Sequence, residues 1–153
     1  MTQQPSTHTD FVIEREFAAA PEEVFQAWAD PEAKRRWSDC HAEYTTDYRL
    51  DFRPFGHEIH KVAYPGGSVQ EIEKVFFDIV AARRIVFAYD IRLDARRLSV
   101  SLVTVDFSVA PRGTRMAYTE QLSYLDGHED LAQRLRGTEE SLDRLRLELF
   151  KPS

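Results

Sequence analysis

Three side chains in this sequence have the types and spacing for acid–base chemistry: Glu58, His60 and Glu120. Residues two apart on a strand share a face, so if Val62 and Tyr64 turn toward a core, Glu58 and His60 turn with them. The same rule applied to Thr114, Met116, Tyr118, Glu120 and Leu122 puts Glu120 inside. Two carboxylates and an imidazole in one interior need partners and acquire shifted pKa values, which is how a general base or a polar ligand anchor arises. A bulge at Phe55-Gly56 would instead reverse the alternation and expose Glu58 and His60.

Other reactive types lack a workable arrangement. Cys40-His41 are adjacent, and neighbours in sequence rarely reach nucleophile–base geometry; no third orienting group is evident. His57 and His60 do not share a strand face, and His8 and His128 are remote, so no set has metal-ligand spacing and no metal is expected. Pro65-Gly66-Gly67 reads as a hairpin turn rather than a phosphate-cradling loop. There is no nucleophile elbow, and no cofactor is expected.

The elements that would position these residues follow from periodicity. Phe11–Phe17 reads as a strand, and Pro21 suits the first turn of a helix whose Glu22 and Glu23 complement its dipole. Val24, Phe25, Ala27 and Trp28 make its buried face. Asp30-Pro31 stops this helix and starts a second, closed by Trp37. From Glu43 the period changes to two, with Tyr44, Thr46, Tyr48, Leu50 and Phe52 on one face and Thr45, Asp47, Arg49, Asp51 and Arg53 on the other. After the Pro54-Phe55-Gly56 turn come strands at His57–Tyr64, Val69–Ile79, Arg84–Leu93, Leu98–Val109 and Thr114–Leu122, joined by turns that include Ala81-Ala82 and Pro111-Arg112-Gly113. A long helix over Asp130–Phe150 carries Leu131, Leu135, Thr138, Leu142, Leu145 and Leu149 on one stripe. With no alternating βαβ pattern, the fold class is α+β, an antiparallel sheet covered by the closing helix.

Gly137 interrupts that helix at a cost of about 1 kcal/mol against alanine. Either close helix–sheet packing or room for a ligand beneath Gly137-Thr138 would offset it.

The bulk numbers narrow the function. With 153 residues, 42% apolar and 12% aromatic, the chain suits one domain with a full core. A net charge of −6 and a pI near 5.4 argue against nucleic acid or an anionic membrane as partner. The pairs Arg35-Arg36, Arg83-Arg84 and Arg96-Arg97 sit among acidic residues as solvated faces. One cysteine allows no internal disulfide and fits a reducing cytoplasm. The polar Met1–Asp10 stretch is no signal peptide and is expected to be flexible, and no run is apolar enough to span a membrane.

The order of strand, two short helices, six strands and long helix resembles the helix-grip fold of the START-like, SRPBCC superfamily. Within it the chain is similar to the heat-shock-protein-90 ATPase activator homologues, a family also described with polyketide cyclase-like proteins. The carrying segments are Pro21-Glu-Glu-Val-Phe-Gln-Ala-Trp28 with Asp30-Pro31 and Trp37; Tyr48-Arg-Leu-Asp-Phe-Arg53; Phe76-Phe-Asp-Ile79 running to Arg84-Ile-Val-Phe87; Gly113-Thr-Arg-Met116; and Gly137 with Ser141-Leu-Asp-Arg-Leu145. The resemblance implies one helix-grip domain over residues 11–151 and a cavity between the sheet and the long helix. Three positions depart from the family pattern: Phe55 replaces a turn glycine, Ala81-Ala82 a proline-rich turn, and Thr138 a tryptophan.

The leading functional expectation is a binding protein for a small apolar or aromatic ligand, held by Trp37, Tyr48, Phe87, Tyr89, Met116, Tyr118, Leu135 and Thr138. A cyclase- or hydrolase-like enzyme acting on a polyketide-like or aromatic substrate would use the same cavity, with Glu58, His60 or Glu120 as acid–base groups. A chaperone-partner module would need an exposed apolar patch beyond what one core consumes. Leu147 and Phe150 fall off the inward stripe and suggest a homodimer, unless they cover the domain's own edge.

Overall fold

The computed structural model describes residues 6–150. Its seven strands are β1 (Thr7–Phe17), β2 (Thr45–Leu50), β3 (His57–Ala63), β4 (Val69–Val80), β5 (Arg84–Leu93), β6 (Arg96–Ala110) and β7 (Gly113–Tyr124). They form one curved sheet in the order β1-β7-β6-β5-β4-β3-β2, every pairing antiparallel. Between β1 and β2 come α1 (Pro21–Ala29) and α2 (Pro31–Ser38), and α3 (Leu131–Leu149) closes the chain. This is the expected helix-grip arrangement. No helix among the described residues is long and apolar enough to cross a membrane.

Local chemistry sets the helix ends. The Asp30 N–H donates to Gln26 O to finish α1, while its carboxylate accepts the Ala33 N–H at 3.1 Å to start α2. Phe17, Val24, Trp28, Trp37, Ile85, Phe107, Met116, Leu142 and Leu145 make the buried core between the inner sheet face and the helices. On α3 Leu142 and Leu145 are buried and Leu131, Leu135 and Leu149 half-buried, whereas Leu147 and Phe150 are exposed.

Several boundaries differ from the periodic reading, each for a local reason. β1 begins at Thr7, not Phe11, because Thr7–Asp10 pair with Gln121–Tyr124 of β7; these four residues are strand rather than flexible terminus. Of the rest of the expected flexible stretch, Ser6 is exposed outside any element and residues 1–5 lie outside the described residues, as does position 151. A 3₁₀ turn at Ala42–Tyr44 replaces the first residues assigned to β2. A bulge between Thr45 and Asp47 then turns Thr45 inward and leaves Thr46 exposed, the reverse of the simple alternation. β6 starts two residues early through a tight hairpin at Asp94-Ala95, both with positive φ, in a sequence that lacks the glycine usual there.

The Pro54-Phe55-Gly56 turn decides how β3 faces. A Cβ at Gly56 would lie 2.1 Å from Asp51 O, so only glycine fits this approach. The turn docks on β4 through Phe55 N–H to Phe76 O at 2.6 Å and Phe76 N–H to Gly56 O at 3.0 Å. Register is thereby fixed: Glu58 pairs with Lys74, His60 with Ile72 and Val62 with Gln70. Phe55 and Ala82, two of the departures from the family pattern, both take positive φ.

Candidate functional site

A cavity of about 260 Å³ lies between the sheet and α3. Its aromatic wall is Trp28, Trp37, Phe87, Tyr89 and Tyr118, with Ile72 and Ile91 beside them. Above it α3 presents Gly137, Thr138, Ser141 and Leu142. A Cβ built on Gly137 meets nothing within 4 Å, so this glycine does not serve close packing; it leaves space. Thr138 turns its hydroxyl back to Arg134 O at 2.9 Å.

One polar row crosses the inner sheet face. Glu58 of β3 stands opposite Lys74 of β4, Lys74 opposite Tyr89 of β5, and Tyr89 opposite Ser101 of β6. Buried charge gathers at both ends of it.

At the β3 end, Lys34 of α2 is buried and donates to both Glu58 oxygens, at 2.8 and 3.0 Å, while Tyr48 OH donates to Oε2 at 2.6 Å. Lys74 Nζ stands 3.7 Å from Glu58 Oε1 and over the rings of Phe87 and Tyr89, at 5.2 and 5.7 Å. Burial opposes the Glu58 charge, but Lys34, Lys74 and the hydrogen bonds outweigh it and hold the carboxyl at about 2. Burial also opposes the Lys34 ammonium; Glu58 only partly compensates and Lys74 repels it, so its pKa falls from 10.5 to about 8. The two shifts are not mirror images because one carboxylate serves two cations. Beside this cluster His60 Nε2 lies 3.1 Å from Thr45 Oγ1 and 3.2 Å from Asp39 Oδ1, with burial lowering its pKa despite the Asp39 charge.

At the β7 end Glu120 is 0% exposed and fully engaged. Tyr89 OH (2.6 Å), Ser101 Oγ (2.8 Å), Tyr118 OH (2.9 Å) and Arg134 Nη1 (3.3 Å) all donate to it. Arg134 of α3 also reaches Ser99 at 2.8 Å and Asp130 at 3.2 Å, which ties the helix to the sheet. Burial and then the Glu120 charge push both phenols up, so Tyr89 and Tyr118 act as donors.

Strand alternation therefore sets the direction of these side chains: Glu58 and Glu120 are buried and His60 faces inward. It does not deliver an acid–base constellation. Glu58 and His60 lie at one end of the row and Glu120 at the other, none lines the cavity, and each is occupied by its own partners. A carboxylate held at about 2 is a weak base near neutrality.

Of the expected ligand contacts, Trp37, Phe87, Tyr89, Tyr118 and Thr138 line the cavity. Met116 does not, because Phe107 pairs with it across the sheet and the core encloses it. Tyr48 is drawn to Glu58, and Leu135 packs half-buried against the core. Cys40 is exposed beside the cavity and accepts from Arg144 Nη2 at 3.2 Å, while the His41 ring packs on Tyr64, so the two form no nucleophile–base pair.

Sequence reasoning passed over Lys34, Lys74 and Arg134. Signals existed: Lys74 alternates with Ile72 and Phe76, Lys34 lies three residues before Trp37, and Arg134 four before Thr138. Among the described residues no group of three or more His, Cys, Asp or Glu side chains could hold a metal ion.

Residues 18–149 match the family model described as Activator of Hsp90 ATPase homolog 1-like protein. None of the curated proteins matches the chain. Among solved structures, an uncharacterized protein from Rhizobium leguminosarum superposes with a TM-score of 0.90 at 46% identity, over 95% of this chain and 96% of that one. The Mll3558 protein from Rhizobium loti gives 0.88 at 36% identity, over 95% and 99%. A protein of unknown function from Staphylococcus aureus, SA2116, gives 0.77 at 17% identity over 94% of each chain, a likeness of fold.

Proposed function

This chain belongs to the Activator of Hsp90 ATPase homolog 1-like family, and from that premise we propose that it binds a small, largely apolar or aromatic molecule in the cavity beneath α3. The observation that carries this reading is the open space under Gly137. A 19-residue helix keeps its least favourable non-proline residue where nothing packs against it, above a wall of five aromatic rings. A volume of about 260 Å³ lies just below the roughly 300 Å³ at which drug-sized sites begin, which suits an occupant of about one or two rings. The reading favours binding over catalysis, because the inward carboxylates are spent on protein partners. A cytoplasmic setting suits its one, unpaired cysteine.

Native mass spectrometry of freshly purified protein tests this directly: a co-purifying mass that leaves on mild activation is expected. The chain's two tryptophans, Trp28 and Trp37, both line the cavity, so intrinsic fluorescence reports its occupation without a label. No bound mass, together with unchanged fluorescence across a panel of one- and two-ring compounds, would remove the proposal.

A further inference from the structure

We propose that the occupant carries one acidic head group, a carboxylate, seated against the Lys74 ammonium, with its apolar or aromatic body under Gly137-Thr138. This inference rests on the binding reading above and names the class of ligand.

Around Glu58 the β3 end of the site holds two ammonium groups, Lys34 and Lys74, against that one carboxylate, while the neighbouring Asp39 is taken up by Thr45 and His60. Lys34 and Tyr48 take the Glu58 carboxylate's short contacts, at 2.6 to 3.0 Å. Lys74 is left at 3.7 Å from Oε1, beyond hydrogen-bond reach, and its ammonium makes no hydrogen bond among the described residues. Its side chain is 21% exposed, and its ammonium also lies over the faces of Phe87 and Tyr89. Ring faces attract a cation but accept none of its three N–H bonds conventionally. A lysine whose side chain is mostly buried and whose ammonium has unclaimed donors, on the wall of a cavity, is a seat for an anion.

Trp28 is buried and its indole N–H has no acceptor among the described residues, whereas Trp37 donates to Ala27 O at 2.8 Å. Lys34 Nζ lies 5.2 Å from the Trp28 ring, which ties this indole to the cationic cluster. Burial is the main cause of the low Lys34 pKa, and repulsion from Lys74 adds to it, so the two ammonium groups are close enough to act on each other.

The opposite end cannot take this role. Arg134, its cation, is spent on Glu120, Asp130, Ser99 and Ser101, and Asp130 also borders the cavity, so an acid there would meet negative charge. The polarity fixes the orientation: acid toward Lys74, rings toward Ile72, Ile91 and Gly137.

The test titrates benzoate, phenylpropionate and naphthoate, each beside its neutral carboxamide, into the wild type, Lys74→Met and Lys74→Gln, followed by calorimetry and tryptophan fluorescence. At least one carboxylate should bind the wild type about tenfold or more tighter than its amide, the order of one charge-assisted hydrogen bond. Both Lys74 variants should lose that preference while leaving amide affinity within about threefold and the melting transition cooperative. Equal binding of acid and amide, or a preference that survives in both variants, overturns the acidic head group and leaves the binding reading standing. Amide binding lost together with acid binding in folded variants overturns it as well, since Lys74 would then be shaping the cavity rather than reading charge. Failure of every probe to bind the wild type overturns the named ligand class and, if no mass co-purifies, the binding reading with it.

Discussion

Gly137→Ala separates a glycine kept for packing from one kept for space. The residue lies well inside the 19-residue α3, and an added Cβ meets no atom within 4 Å. With no clash, the change should return the helix-propensity difference of about 1 kcal/mol. Unfolding entropy near 2.1 cal/mol/K per residue gives roughly 0.3 kcal/mol/K for the 153-residue chain, so the melting temperature of the unliganded protein should rise by about 3 °C. Urea unfolding should show a higher midpoint with an unchanged slope. A larger side chain at the same position, Gly137→Phe, enters a space of about 260 Å³ and should block ligand while leaving the fold cooperative. Destabilisation by alanine would refute the reasoning, because it would mean that the helix approaches the sheet more closely than the open space implies. Stabilisation by alanine with undiminished binding in Gly137→Phe would separate the glycine from function. If both arms come out as expected, the chain gives up about 1 kcal/mol to keep its cavity open.

Acid should act through Glu58. Its folded value of about 2 lies below the ordinary 4.5, so its contribution is complete above pH 4.5 and is lost as pH falls toward 2, about 3 kcal/mol in all. Urea unfolding from pH 6 to 3 should show this slope in the wild type and a flatter one in Glu58→Gln. The strained hairpin offers a gain: Ala95 takes φ +67 at an exposed turn, and Ala95→Gly should raise stability by about 0.5–1 kcal/mol in thermal melts. Leu147 and Phe150, each 65% exposed on one end of α3, should make a homodimer contact. Sedimentation equilibrium at micromolar concentration should give a dimer that Phe150→Glu weakens, and a strictly monomeric wild type would dispose of it.

What could be read from sequence follows the range of the rules involved. Alternation is a local rule, and it placed Glu120 with Met116 and Tyr118, and Glu58 and His60 with Val62, on the inner face. It cannot say which residue of one strand meets which of the next. Only the register joins Glu58, Lys74, Tyr89 and Ser101 into one row, and only docking of α2 brings Lys34 to Glu58. The helix was legible through its leucines for the same reason that Arg134 was overlooked: a charged residue on an apolar stripe reads as an interruption until its buried partners are known. The bulge at Thr45 and the Asp94-Ala95 hairpin were hidden because neither carries glycine, proline or asparagine to announce it.

The charged cluster around Glu120 also explains why a cavity survives where a core would ordinarily close. A void under a helix collapses if the helix can settle toward the sheet, and the gain in contacts favours it. Here α3 is held along its length. Arg134 fixes its first half to Glu120, Ser99 and Ser101; Leu142 and Leu145 are buried in its second half, and Arg36 of α2 pairs with Glu148 near its end. Settling between these points would move Arg134 off a fully buried carboxylate, and breaking such a pair costs about 3–5 kcal/mol. That exceeds what one or two new methylene contacts return, at about 0.8 kcal/mol each. The Arg134–Glu120 pair can thus add little net stability of its own and still set the height of the helix above the sheet. With the height fixed, Gly137 and Thr138 determine how much of the gap remains, and Lys74 determines which charge it admits.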